Sequence, residues 1–111
     1  MLTLEKLDNY GADTKDGITR CVNNEALYLK FVNKFLEDNT FIKLKQSIDN
    51  NYLDEAFECA HSLKGVLANL SLTPLYSIIY EITELLRKRT NMDYSNLINQ
   101  YEKKYNELRE L

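Results

Sequence analysis

The sequence YLDEAFECAHSLKGVLANL at residues 52–70 predicts a long amphipathic helix. Helical residues follow each other at about 100° in projection, which gathers the apolar side chains on one face: Ala56, Leu63, Leu67 and Leu70. The opposite face carries small and polar residues: His61, Lys64, Gly65 and Ala68. The pattern therefore predicts a helix that buries one face and holds its histidine in solvent.

Apolar residues also recur at spacings of three and four on both sides of this helix, which is typical of further amphipathic helices. The repeats run over 27–35, 41–48, 75–85 and 94–108, and two short helical pieces precede them at 4–7 and around 14–22. One Pro and three Gly leave long uninterrupted helices easy to form. We expect an all-α fold, an antiparallel four-helix bundle with short N-terminal helical segments.

Several residues mark the expected helix ends. Gly11 ends the first short piece, and Asn23–Asn24 offers an N-cap for the helix that follows. Asn39–Thr40 is expected to cap the next one. Thr73 is expected to be an N-cap with Pro74 as first helical residue, where the missing N–H costs nothing.

Length and charge limit the classes of function. The 111 residues suit one domain over 1–111. A net charge of −3 without a dense basic stripe argues against a nucleic-acid partner. No apolar run approaches the ~20 residues that span a bilayer, and the early Glu5 does not fit a secretory signal. We expect a cytoplasmic protein with no membrane partner.

The two cysteines and the acidic residues give no complete metal site. Cys21 and Cys59 are expected to be small buried hydrophobic residues, and Cys59 lies about 160° around the helix from His61. Residues 58–61 contain one Glu-x-x-His unit, whereas a di-iron bundle uses two such units and two further Glu. With a single histidine that site cannot be completed, so we expect no metal and no cofactor.

His61 is the only histidine of the chain, so any imidazole chemistry takes place there. An exposed imidazole keeps a nucleophilic ring nitrogen near neutral pH. Lys64, three residues later, lies on the same side and would stabilise a dianionic group on the ring. Gly65 costs ~1 kcal/mol relative to Ala within a helix. We interpret Gly65, continued by Ala68, as clearance for a bulky partner; the alternative is close packing against a neighbouring helix.

The hexapeptide at residues 60–65, AHSLKG, resembles the signature of histidine phosphotransfer (HPt) domains, His-x-Leu-Lys-Gly on a helix of a four-helix bundle. The similarity extends to residues 24–28 with Phe31 and Phe35, which resemble the second helix of the family. Residues 74–87 resemble the helix that follows the histidine. The resemblance covers the whole chain.

The resemblance implies that His61 accepts a phosphoryl group from the aspartyl phosphate of a receiver domain and passes it to another receiver, as in a two-component phosphorelay. It implies that Lys64 steadies the phosphoryl oxygens and that Gly65 permits docking. The other expected docking residues are Ala68, Phe57, Leu72 and Thr83. The family often has Gly where Ala68 and Ser71 stand, and Gln or Glu, able to orient the imidazole, where the shorter Thr83 stands.

The expected partners are response-regulator receiver domains, with a hybrid histidine kinase as a further candidate. Because one acceptor histidine is enough for transfer, we expect a monomer. No nucleotide-binding loop is present, so we expect a phosphocarrier without its own ATP-dependent kinase activity. Two alternatives remain. An HPt-like adaptor would dock receivers without transferring phosphate. A dimerising histidine domain of a sensor kinase fits less well. That family usually has an acidic residue just after its histidine and a proline a few residues later, whereas here Ser62 follows His61 and no proline appears before Pro74.

Overall fold

A computed structural model describes all 111 residues and contains seven helices and no strand. The helices are α1 (Leu4–Tyr10), α2 (Thr14–Arg20), α3 (Glu25–Leu36), α4 (Thr40–Asp49), α5 (Leu53–Asn69), α6 (Thr73–Arg87) and α7 (Ser95–Arg109). The all-α prediction, including the short N-terminal segments, is confirmed. None of the helices combines the length and apolar character required to cross a membrane.

Helices α4 to α7 form the four-helix bundle. Consecutive helices pack against each other and are joined by short connections at 50–52, 70–72 and 88–94, which gives the antiparallel order. The ring closes between α4 and α7, where the Phe41 and Tyr101 ring centroids are 4.4 Å apart and Lys45 Nζ lies 3.2 Å from Glu102 Oε2. Helix α5 therefore lies between α4 and α6.

The core fixes which face of α5 remains exposed. Its predicted apolar residues Ala56, Leu63, Leu67 and Leu70 are all buried, within a cluster of 22 buried apolar residues. Burial of these side chains, at about 25 cal/mol per Å² of apolar surface, is the main force that docks the helix. The face that carries His61 is left to solvent, as the pattern of residues 52–70 predicts.

Helices α2 and α3 brace the C-terminal end of α5 from outside the bundle. The Tyr28 hydroxyl of α3 donates a buried hydrogen bond to the Leu70 carbonyl at 2.9 Å. Gly17 permits this approach, because a Cβ there would lie 2.3 Å from the Tyr28 ring and 3.0 Å from the Leu70 oxygen. The Asp13 N–H donates to the Ser71 carbonyl at 3.0 Å. The corner after the histidine helix is thus held in place by the N-terminal segment.

Two of the expected helix ends are confirmed. Asn24 accepts a hydrogen bond from the Leu27 N–H, and Gly11 ends α1 with φ 113°, a left-handed conformation that suits glycine. A third is confirmed in position only: Asn39 is the N-cap residue of α4, but the Thr40 N–H donates to Asp38 rather than to the Asn39 side chain. The fourth is wrong by one residue, because α6 already begins at Thr73, with the buried Leu72 in the N-cap position.

The expectation for the cysteines is half confirmed. Cys21 is buried, but Cys59 is only half-buried. Although Cys59 lies opposite His61 on α5, the neighbouring helix covers its position incompletely. Burial still raises the pKa of the Cys59 thiol, with the Glu55 carboxylate as a smaller cause. A thiol with a raised pKa is a poor nucleophile at neutral pH.

Two buried tyrosines give opposite predictions for stability. Burial raises the pKa of Tyr28 to about 12, and its hydroxyl has the Leu70 carbonyl as partner. The hydroxyl of Tyr101 is buried without a hydrogen-bond partner. Tyr28→Phe should lower the free energy of unfolding by about 1–2 kcal/mol, because it leaves a buried carbonyl unpaired. Tyr101→Phe should leave it unchanged or raise it by about 1 kcal/mol. Urea unfolding followed by circular dichroism measures both, and equal losses would contradict the assignment.

Candidate functional site

The imidazole of His61 is exposed to solvent near the middle of α5. The neighbouring Ala60 and Leu63 are buried and anchor the helix at this point. A rigid helix thus presents the ring, and its position does not depend on a loop. A ring nitrogen held this way is open to a reacting group.

Phe57, one turn before the histidine, is its aromatic neighbour. The Phe57 and His61 rings are stacked, with centroids 5.7 Å apart and an interplanar angle of 22°. Two guanidinium groups lie over the Phe57 ring: the Cζ of Arg87, at the end of α6, is 5.1 Å from its centroid, and that of Arg89, just beyond the helix, is 4.8 Å away. The side of the site towards the N-terminus of α5 therefore carries two cations.

Lys64 is half-buried and leans towards α6. Its Nζ lies 5.6 Å from the centroid of the Tyr80 ring, which is a cation–π contact. Such a contact contributes about 0.5–1 kcal/mol at an exposed site, less than a hydrogen bond between an ammonium and an anionic oxygen, which is about 1.5–3 kcal/mol. The ammonium can therefore exchange the Tyr80 ring for an anion near His61.

Gly65 has open space around it. A Cβ built at this position meets no heavy atom within 4 Å, and the residue is exposed. Close packing against a neighbouring helix is therefore the wrong explanation for this glycine. Ala68, one turn further, is half-buried and continues the low surface. Gly65 and Ala68 thus leave open space on the face of α5 that carries His61.

Two residues that were expected at the docking surface are in the interior. Leu72 and Thr83 are both 0% exposed. Leu72 ends the short α5–α6 connection and is turned into the core, while Thr83 lies on the inward face of α6, four residues after the buried Ile79. The Thr83 hydroxyl donates to the Ile79 carbonyl at 2.6 Å. In this fold neither residue can contact a partner, and Thr83 does not orient the imidazole.

The sequence reasoning missed the residues that α6 contributes to the site. The helical pattern alone singles out neither Tyr80 and Arg87 of α6 nor Arg89 just beyond its end. Tyr80 and Arg87 are seven residues apart and so share one face of α6. This seven-residue spacing, next to the apolar face of α6, is the sequence feature from which both residues could be predicted.

No three or more His, Cys, Asp or Glu side chains are grouped so that they could hold a metal ion.

A family model described as Hpt domain matches residues 32–111, from the last part of α3 to the end of the chain. No curated protein and no solved structure matches the chain. The matched region contains the whole bundle and the exposed histidine. The chain therefore belongs to the Hpt domain family, whose members carry phosphoryl groups on histidine in phosphorelays.

Proposed function

We propose that the chain is a phosphorelay intermediate: His61 accepts a phosphoryl group from the aspartyl phosphate of one receiver domain and passes it to another receiver. The observation that carries this proposal is the exposure of the only histidine on α5, with open space at Gly65 beside it. Its position within the matched family region supports the same conclusion.

The transfer requires little chemistry from the chain itself. A ring nitrogen of His61 uses its lone pair to form a bond to phosphorus, while the bond between phosphorus and the aspartyl oxygen breaks and the carboxylate leaves. The second transfer is the reverse reaction with a different aspartate. Because the transition state needs in-line positioning and charge neutralisation, the contribution of the chain is a fixed imidazole with cations near it.

We assign to the Lys64 ammonium the role of stabilising the phosphoryl group on His61. Lys64 follows His61 by three residues on α5, at a spacing where helical side chains are neighbours, and its ammonium rests over the Tyr80 ring. Arg87 and Arg89 add positive charge around Phe57. Anionic oxygens on the ring would gain charge-assisted hydrogen bonds from such groups.

A receiver would dock on the surface around His61. Gly65 and the half-buried Ala68 lie on it. Beyond Gly65, a groove of about 470 Å³ runs between α3 and the C-terminal half of α5, and the exposed apolar side chains of Phe31 and Val66 line it. Its lining also holds the cations Arg20 and Lys34 and the carboxylate of Asp38. An apolar groove with a polar rim is typical of a surface that binds another protein.

We also propose that residues 1–111 act as one domain and as a monomer in the cytoplasm. Helix α1 contacts α7, where the Tyr10 hydroxyl donates to the Lys104 carbonyl at 2.8 Å. Burial raises the pKa of Tyr10, with the Glu107 carboxylate as a second cause. The N-terminal segment is thus tied to the bundle at α7 as well as at the end of α5.

Lys64→Ala should slow transfer about tenfold or more, because one charge-assisted hydrogen bond to the transferred group is lost. Lys64→Arg retains the positive charge and should keep most of the rate. Rapid-quench kinetics with a phosphorylated receiver measures both variants. Equal rates for Lys64→Ala and the wild type would show that the ammonium does not act on the phosphoryl group.

The proposal is tested by incubating the chain with a panel of phosphorylated receiver domains. We expect label to move to the chain from at least one receiver and then to a second, unphosphorylated receiver. ATP alone should leave the chain unlabelled, and labelling by ATP would indicate a kinase. Stable binding of receivers without any label would support the adaptor alternative instead.

A further inference from the structure

The contact that can orient the His61 imidazole comes from its own helix. The stacked Phe57 ring lies one turn away, at the i, i+4 spacing where helical side chains meet. The facing helix supplies no orienting hydrogen bond from Thr83, because that hydroxyl is buried and bound to the Ile79 carbonyl. The stack is therefore the feature that restricts rotation of an otherwise exposed ring.

Phe57 is itself fixed by the end of α6. The guanidinium of Arg89 lies over its ring and is held by its own hydrogen bonds, from Nε to Asp54 Oδ1 at 2.6 Å and from Nη1 to the Leu86 carbonyl at 2.8 Å. Arg89 has a left-handed backbone with φ 51°, where glycine is the preferred residue. The chain thus places a guanidinium at a position that favours glycine, and Arg87 adds a second one over the same ring.

We propose that Phe57 is a positioning residue that holds the His61 imidazole in the orientation needed for in-line attack on phosphorus. The inference rests on the proposed role of His61 as acceptor. Holding reacting atoms in an aligned geometry accelerates transfer, and a displacement of about 1 Å can cost a hundredfold in rate. This role differs from docking, since Phe57 acts through the imidazole and not through the partner.

The first test is spectroscopic and needs no phosphate. Because His61 is the only histidine, its two carbon-bound ring protons are identified directly in a proton NMR spectrum. We expect nuclear Overhauser contacts between the Phe57 and His61 rings, and a change in the histidine shifts in Phe57→Leu as the ring current is lost. Phe57→Tyr, which keeps an aromatic ring, should preserve both signatures. Absence of the contacts in the wild type would overturn the proposal.

The second test separates positioning from docking. Phe57→Leu keeps apolar volume at a half-buried site, so the helix content should be unchanged. Its transfer rate at saturating receiver should fall about tenfold, with the half-saturating receiver concentration unchanged, and Phe57→Tyr should restore the rate. A raised half-saturating concentration with an unchanged maximal rate would overturn positioning in favour of docking.

The two proposals fail in different ways. Equal labelling of the wild type and Phe57→Leu at all receiver concentrations would overturn the positioning role and leave the acceptor role of His61 standing. A wild-type chain that no receiver labels would overturn the acceptor role, and the positioning role with it. The NMR contacts, measured separately, show in either case whether the two rings are stacked.

Discussion

His61→Gln should abolish labelling of the chain by every phosphorylated receiver that labels the wild type. The glutamine side chain has similar reach but no nucleophilic ring nitrogen, and no second histidine can replace it. The loss should be complete rather than partial, because the chain has one acceptor side chain.

The fold should not change in this variant. The imidazole is exposed, and substitutions at such positions usually alter the free energy of unfolding by no more than about 0.5 kcal/mol. Urea unfolding and receiver binding by titration calorimetry should both match the wild type. Label remaining on His61→Gln would mean that another side chain, such as the adjacent Ser62, is the acceptor.

Gly65→Gln should stabilise the fold and slow transfer. Replacing a helical glycine removes a penalty of roughly 0.5–1 kcal/mol, and no atom within 4 Å opposes the new Cβ. The longer glutamine side chain, however, occupies the space through which a receiver approaches His61. We expect transfer to slow by about tenfold or more, since misplacement of the reacting atoms by about 1 Å can cost a hundredfold.

Gly65→Ala is the matched control. It adds only the Cβ for which the structure has room, so stability should rise by about 1 kcal/mol while transfer stays near the wild-type rate. Chemical unfolding and quench kinetics on the same preparations separate the two effects. If Gly65→Gln transferred as fast as Gly65→Ala, the clearance interpretation would be contradicted.

The architecture could be predicted from the sequence because the apolar residues of each helix recur at spacings of three and four and so mark its buried face. The faces of α5 follow from the spacing of Leu63, Leu67 and Leu70, and the structure buries all three. The exposure of His61 and the open space at Gly65 follow from the same geometry. The buried and exposed faces of a single helix could therefore be predicted from its sequence.

Burial and side-chain contacts that depend on how two helices pack could not be predicted in this way. Thr83 is polar, but its hydroxyl bonds back to the Ile79 carbonyl and so can be buried without an unpaired donor. The contacts between Lys64 and Tyr80, and between Arg89 and Phe57, require the register of α6 against α5. The apolar spacing within either helix does not specify that register.

The chemical linkage of the transferred phosphate tests the central claim most directly. After labelling by a phosphorylated receiver, the chain should carry one phosphoryl group, released by acid and retained in base, and mass spectrometry should place it on His61. That is the behaviour of a phosphoramidate on a ring nitrogen. A phosphate that survives acid, or one that maps to Ser62 or any other residue, would contradict the account.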